Sequence, residues 1–134
     1  MVFHISPTDP TPIYAQLERA IRLGIATGRL RPDDQLPTVR QLAVELNLNA
    51  NTVAKVYRDL ERAGVLETRR GIGTFIKKPQ PDVMPAAERE RLLGVFADRF
   101  VAEAAMQGFS ADELLAYLNG RLTKEKDYHA TLKN

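Results

Sequence analysis

A mainly α-helical fold with one small β-wing is what this sequence predicts, on three observations. Apolar residues recur at helical spacing in five segments. A capping box and an Asn-x-Asn break separate two of those helices by only a short turn. From Val65 to Ile76 the pattern changes to two short β-prone runs around a glycine-rich tip. Helix, turn, helix and hairpin in that order make a winged helix-turn-helix. Two further helices follow it as an extension.

Each element has its own signal. Thr11 and Pro12 predict the first helix start, with threonine as N-cap and proline at the first helical position. Ile13, Leu17, Ala20, Ile21, Gly24 and Ile25 follow at helical spacing, and Gly28 ends the helix. Arg29 to Pro37 is a connection with turn chemistry at Pro32, Asp33 and Asp34. Thr38 and Gln41 form a capping box that opens a short second helix, with Val39, Leu42, Ala43 and Leu46 inward. Asn47 suits a left-handed position, and Asn49 suits the next N-cap. The third helix, Asn49 to Ala63, turns Val53, Val56, Tyr57 and Leu60 inward and stops at Gly64. Leu66 to Thr68 and Thr74 to Ile76 read as strands, with Arg69, Arg70, Gly71, Ile72 and Gly73 at the tip. Three prolines within 79–85 can continue neither a helix nor a central strand.

Beyond them a helix is expected from about Ala86 to Gln107, with Leu92, Leu93, Phe96, Phe100, Val101 and Ala104 on one side and Gly108 at its end. Ser110 and Glu113 form a second capping box before Leu114, Leu115, Tyr117, Leu118 and Leu122. The polar tail after Thr123 is expected to fray. The expected organisation is a winged unit over 1–78, a proline-rich linker over 79–85 and a two-helix extension over 86–134.

Composition narrows the function classes. The 134 residues are 44% hydrophobic and 27% charged, which is ordinary for a globular chain able to bury a core. There is no cysteine, so disulfides, thiolate catalysis and cysteine-ligated zinc are excluded. The two histidines, His4 and His129, lie near opposite ends, so no metal site is expected. No glycine-rich phosphate loop or catalytic triad is apparent; neither an enzyme nor a cofactor is expected. A basic, apolar leader and a membrane-length apolar run are both missing, and the expectation is a cytoplasmic chain with no membrane partner. Residues 1–78 carry 12 Lys/Arg and 8 Asp/Glu, whereas 79–134 carry 7 and 9. Only the front is placed to meet a polyanion.

The third helix is the candidate recognition helix. With its apolar residues inward, Asn51, Thr52, Lys55, Arg58 and Arg62 face outward. Amide and hydroxyl groups at the N-terminal end suit base edges, and the following cations suit phosphates. At the wing tip, Arg69 and Arg70 favour a narrow minor groove, and Gly71 removes bulk beside a groove wall.

Leu36-Pro37-Thr38-Val39-Arg40-Gln41-Leu42-Ala43, Asn51-Thr52-Val53, Tyr57-Arg58-Asp59-Leu60-Glu61, Ala63-Gly64-Val65-Leu66 and Gly71-Ile72-Gly73-Thr74-Phe75-Ile76 resemble the GntR family of bacterial transcription regulators over roughly residues 10–78. The resemblance implies a DNA-binding role for Thr38 and Arg40 at the start of the second helix, for Asn49, Asn51 and Thr52 at the reading end, and for Arg70 and Gly71 at the wing. Ala50 stands where many members carry arginine, and Asp33 stands at a turn position that is often glycine. Aspartate tolerates left-handed geometry, so little consequence is expected there. The short helical extension resembles the YtrA subfamily, whose members dimerise through it and often repress transporter operons.

The extension's residues lead independently to self-association. Two helices rich in Leu and Phe cannot enclose both faces within 49 residues after Pro85. Leu92, Leu93, Phe96, Phe100, Leu114 and Leu118 are the expected dimer interface. The expected partners are a second copy and a palindromic double-stranded DNA operator. The competing reading is a winged-helix protein–protein adaptor that does not bind DNA. A small effector between extension and winged unit stays open, with no polar constellation marking a site.

Overall fold

The N-terminal part of the chain is built around three helices whose apolar stripes converge. In the computed structural model, residues 3–79 and 84–133 are described, with side chains through Lys124. Helix α1 (Ile13–Ala26) buries Leu17, Ile21 and Gly24; α2 (Val39–Leu46) buries Leu42 and Ala43; α3 (Ala50–Arg62) buries Val53, Val56, Tyr57 and Leu60. Strands β1 (Leu66–Arg69) and β2 (Gly73–Ile76) pair antiparallel, with Leu66 opposite Ile76 and Arg69 opposite Gly73. Leu66 and Ile76 close the core from the wing side, and Leu30 and Leu36 close it from the connection between α1 and α2.

The capping chemistry sets where α2 and α3 begin. Thr38 Oγ1 accepts the Gln41 N–H at 3.1 Å while Gln41 Oε1 accepts the Thr38 N–H at 2.9 Å. Asn47 ends α2 in the left-handed region at φ 56°, and Asn49 caps α3 by accepting the Asn51 N–H at 2.8 Å. At α1 the expected cap is not made. Pro12 is the N-cap residue and no side chain caps it; the Thr11 N–H goes instead to Asp9 Oδ1 at 2.8 Å. That hydrogen bond holds the Asp9 carboxyl below its ordinary value. The buried Gln16 amide does further work at this end. Its Nε2 donates to the Ser6 and Thr11 carbonyls and its Oε1 accepts the Ser6 N–H, so the N-terminal arm is tied down and Phe3 joins the core.

The wing has an additional edge that the sequence did not suggest. Gln35 bridges to Phe75, and the Asp33, Leu36 and Ile76 N–H groups donate to Ile76, Thr74 and Asp34 carbonyls at 2.8–2.9 Å. The connection after α1 therefore runs along the outer edge of β2, held by a single β-bridge and these flanking hydrogen bonds.

Helices α4 (Ala86–Met106) and α5 (Ala111–Lys133) form the extension, and Ser110 and Glu113 cap α5 reciprocally as expected. The backbone of α5 is helical as far as Lys133, through the polar stretch after Thr123. Among the described elements, α4 and α5 pack on each other, and α5 reaches the winged part through the long Arg121 side chain, which lines a cleft with Gln16, Arg19, Ala20 and Leu23 of α1. No residue of α4 is buried. Residues 80–83 of the proline-rich linker lie outside the described residues.

Candidate nucleic-acid interface

The surface begins with how α2 and α3 are locked together. The Tyr57 phenol, buried at the middle of α3, donates to the Pro37 carbonyl at 2.7 Å, just before α2. Burial, with the nearby Glu45 charge second, pushes the phenol well above its ordinary value, so it stays a donor at neutral pH. At the other end of α3, Glu61 Oε1 accepts the Thr68 N–H of β1 at 3.3 Å. The start of α2, the outward face of α3 and the wing are thus held to one another by the same helix.

The polar reading end divides into groups already engaged and groups left open. Asn49 is exposed, but its carbonyl oxygen is used by the cap, leaving its amide as a donor. Asn51 is exposed and its side-chain amide makes no hydrogen bond among the described residues, so it can present donor and acceptor together, the pattern that adenine matches. Thr52 is half-buried in the same first turn. Thr38 accepts at its hydroxyl as a cap and keeps its O–H proton to donate.

The cations divide in the same way. Arg40 in the first turn of α2, Arg58 on α3 and Arg70 at the wing tip are exposed and make no hydrogen bond or ion pair among the described residues. Lys55 is occupied. Its Nζ lies 2.9 Å from Asp59 Oδ2 and 4.7 Å from the centre of the Tyr14 ring. The Lys55 hydrogen bond is the main reason that the Asp59 carboxyl sits below its ordinary value. Arg62 shares Asp59 more distantly, at 4.0 Å.

Arg69 and Arg70 are neighbours with different surroundings. The Arg69 guanidinium reaches Glu67 at 2.8 Å and Asp33 at 2.6 Å and lies 4.0 Å from the centre of the Phe75 ring. Hydrogen bonds to Glu67 and then Asp33 raise its proton affinity further. Gly71 holds φ at 75° with open space around it, so the turn rather than crowding requires glycine. Gly73 is constrained by its backbone, with φ at 146°; a Cβ there would lie 2.6 Å from Gln35 Nε2, and that amide would have to swing away. Sequence reading missed the Asp33–Arg69 pair, since the partners are separated by a whole helix-turn-helix. The only local signal was aspartate at a position that is often glycine.

The residues expected at the dimer interface lie on the extension. Leu93 is 67% exposed and Phe100 62%, with Phe96 and Leu118 about half exposed and Leu92 and Leu114 half-buried. Phe109 and Tyr117, not among the expected set, are also more than half exposed. No group of three or more potential metal ligands occurs among the described residues, and no described helix is long and apolar enough to cross a membrane.

Comparison with known proteins places this geometry. Residues 13–76 match the family described as bacterial regulatory proteins, gntR family. The chain is 43% identical over 77 residues to the HTH-type transcriptional repressor YtrA of Bacillus subtilis, spanning 58% of this chain and 59% of that repressor. It is 38% identical over 109 residues to the HTH-type transcriptional regulator Rv1152 of Mycobacterium tuberculosis, covering 80% and 83% of the two chains. Among solved structures it resembles YtrA from Sulfolobus acidocaldarius, a GntR-family transcription factor, with TM-score 0.57 and 30% identity over 76% of this chain and 99% of that one. The DNA-binding domain of AraR, solved in complex with operator ORX1, superposes with TM-score 0.51 and 28% identity over 57% of this chain and 98% of that domain. With the family span running from the start of α1 to the end of β2 and one relative matched over more than four fifths of its length, the chain belongs to the GntR family, as a YtrA-like transcription regulator with a DNA-binding winged helix.

Proposed function

We propose that this chain is a homodimeric, non-enzymatic repressor that binds a palindromic operator and controls a transporter-type operon. Residues 1–78 would be the DNA-binding domain, 79–85 the linker and 86–134 the dimerisation extension. In this reading α3 enters the major groove, where Asn49, Asn51 and Thr52 read bases while Thr38, Arg40 and Arg58 anchor the backbone; Lys55, expected as an anchor too, is engaged by Asp59 and contributes less. The wing, with Arg69, Arg70 and Gly71, lies at the minor groove. The observation that carries the DNA role is the set of exposed, unpaired arginines on three elements that α3 ties together, beside the open Asn51 amide. The operator complex of the AraR domain supports the same use of the fold. The repressor names of relatives support the direction of regulation.

Self-association rests on a different observation: two helices of 21 and 23 residues, with the first burying nothing and its apolar side open. Burying a large apolar side chain contributes about 1.5–3 kcal/mol, so several together can offset association entropy. A helix-turn-helix dimer reads two half-sites where a monomer reads one. The test uses the full chain. Sedimentation should give a dimer for the wild type and a monomer for the Phe96→Glu, Phe100→Glu double variant. DNA binding by that variant should lose cooperativity on a palindrome selected from a randomised pool, with Arg40→Ala as the fold-preserving control that loses affinity. A monomeric wild type that still binds the palindrome tightly removes the dimer from the proposal, and a dimer without salt-dependent DNA affinity removes the DNA reading.

A further inference from the structure

We propose that Arg69 is a positioning residue that braces the wing, whereas its neighbour Arg70 meets the DNA; this deepens, and rests on, the DNA-binding reading above. Arg69 closes β1 opposite Gly73. Paired residues of an antiparallel ladder point to the same face. Gly73 has no side chain, so the Arg69 guanidinium can lie across β2. It stacks 4.0 Å from the centre of the Phe75 ring and reaches Asp33 Oδ1 at 2.6 Å in the turn beyond. From its own strand Glu67 Oε1 accepts both Nη2 at 2.8 Å and Nε at 3.1 Å. A planar guanidinium suits this because it can stack and fork at once; an ammonium cannot do both. The brace is completed by Gln35, whose Nε2 donates to the Ile72 carbonyl at 3.0 Å and so holds the tip from the same connection.

Charge argues against a phosphate at this place. Arg69 lies between two carboxylates, so the cluster of Asp33, Glu67 and Arg69 is formally −1. A phosphate approaching Arg69 meets that net charge, while one approaching Arg70 meets an exposed guanidinium with no pairing among the described residues. The brace also explains Asp33. It holds a left-handed backbone at φ 72°, where glycine is unstrained, and its carboxylate is what reaches the wing. Little consequence was expected of aspartate here; the structure gives it a partner on the wing.

The decisive variant is Asp33→Asn, because asparagine also tolerates the left-handed region and the backbone is retained. It removes a negative charge near DNA, so electrostatics alone would strengthen binding. Asparagine keeps an acceptor for Arg69 but loses the charge assistance, so the weakened brace should lower affinity, by about three- to tenfold if the wing has to be ordered on binding. The probe is a duplex that the protein itself selects from a randomised pool. Affinity is titrated across salt with the full chain, and amide order parameters of Gly71 and Gly73 are measured by 15N relaxation on the free protein. The expected result is that Asp33→Asn and Arg69→Lys both lower wing order and affinity and leave the salt slope unchanged. Arg70→Ala flattens the slope and leaves wing order intact. Tighter binding by Asp33→Asn, a slope flattened by Arg69→Lys, or unchanged wing order in both variants overturns the proposal. If the wild type shows no salt-dependent DNA binding, the functional reading fails, yet wing order in the free protein still decides the brace.

Discussion

Internal pairing should decide which cations of this protein reach phosphate, and salt dependence reads that directly. Arg40, Arg58 and Arg70 are exposed and make no hydrogen bond or close ion pair among the described residues, Arg58 feeling Asp59 only at longer range, whereas Lys55 is held by Asp59 and Tyr14. A dimer then brings about six free guanidinium groups to the DNA backbone, and the slope of log K against log salt should be about −5. Affinity should fall by about 10³-fold between about 50 mM and 200 mM salt. Arg70→Ala removes one contact per protomer and should flatten the slope by about 2 for the dimer. Lys55→Ala should flatten it much less, because that charge is already matched by a carboxylate 2.9 Å away. Fluorescence anisotropy with a labelled duplex across the salt series measures both, and circular dichroism confirms that each variant folds. If Lys55→Ala flattens the slope as much as Arg70→Ala, the pairing seen in the free protein does not govern contact, and the reasoning fails.

Three further outcomes follow from single interactions. Asp59→Asn should release Lys55 and steepen the same salt slope. Its carboxyl is held below the ordinary 3.8, so the pair is intact above that value and lost only as pH falls through the lowered one; between about pH 6 and 8 this group should leave DNA binding unchanged, and a titration across that range checks it. Tyr57→Phe removes the hydrogen bond to the Pro37 carbonyl and should cost about 1–2 kcal/mol in denaturant unfolding, with no loss expected only if that carbonyl finds water. Gly73→Ala places a Cβ 2.6 Å from Gln35 Nε2 at φ 146°, and should cost about 1–3 kcal/mol in the same assay; an unchanged midpoint would show that the wing edge adjusts freely.

Local chemistry was enough to place most of this fold. Capping boxes at Thr38 and Ser110, the left-handed Asn47 and the Asn49 cap act over three or four residues, so their geometry is written in adjacent letters. The inward set Val53, Val56, Tyr57 and Leu60 follows from helical period and is the set that the structure buries. The same period left Asn51, Lys55 and Arg58 outside, and so the candidate reading face was legible too. What the sequence could not decide was pairing across distance. Whether a cation is free depends on carboxylates brought near by folding: Asp33 comes to Arg69 only because the connection after α1 lies along β2. Identical letters, Arg69 and Arg70, are thereby given different surroundings. Gln16, which ties down the arm that carries Phe3, escaped notice for the same reason, since its partners become visible only after the arm folds back. The helical period of the extension showed apolar residues without saying what covers them. The tertiary structure leaves most of them open, because α4 and α5 bury too little of their apolar faces against each other.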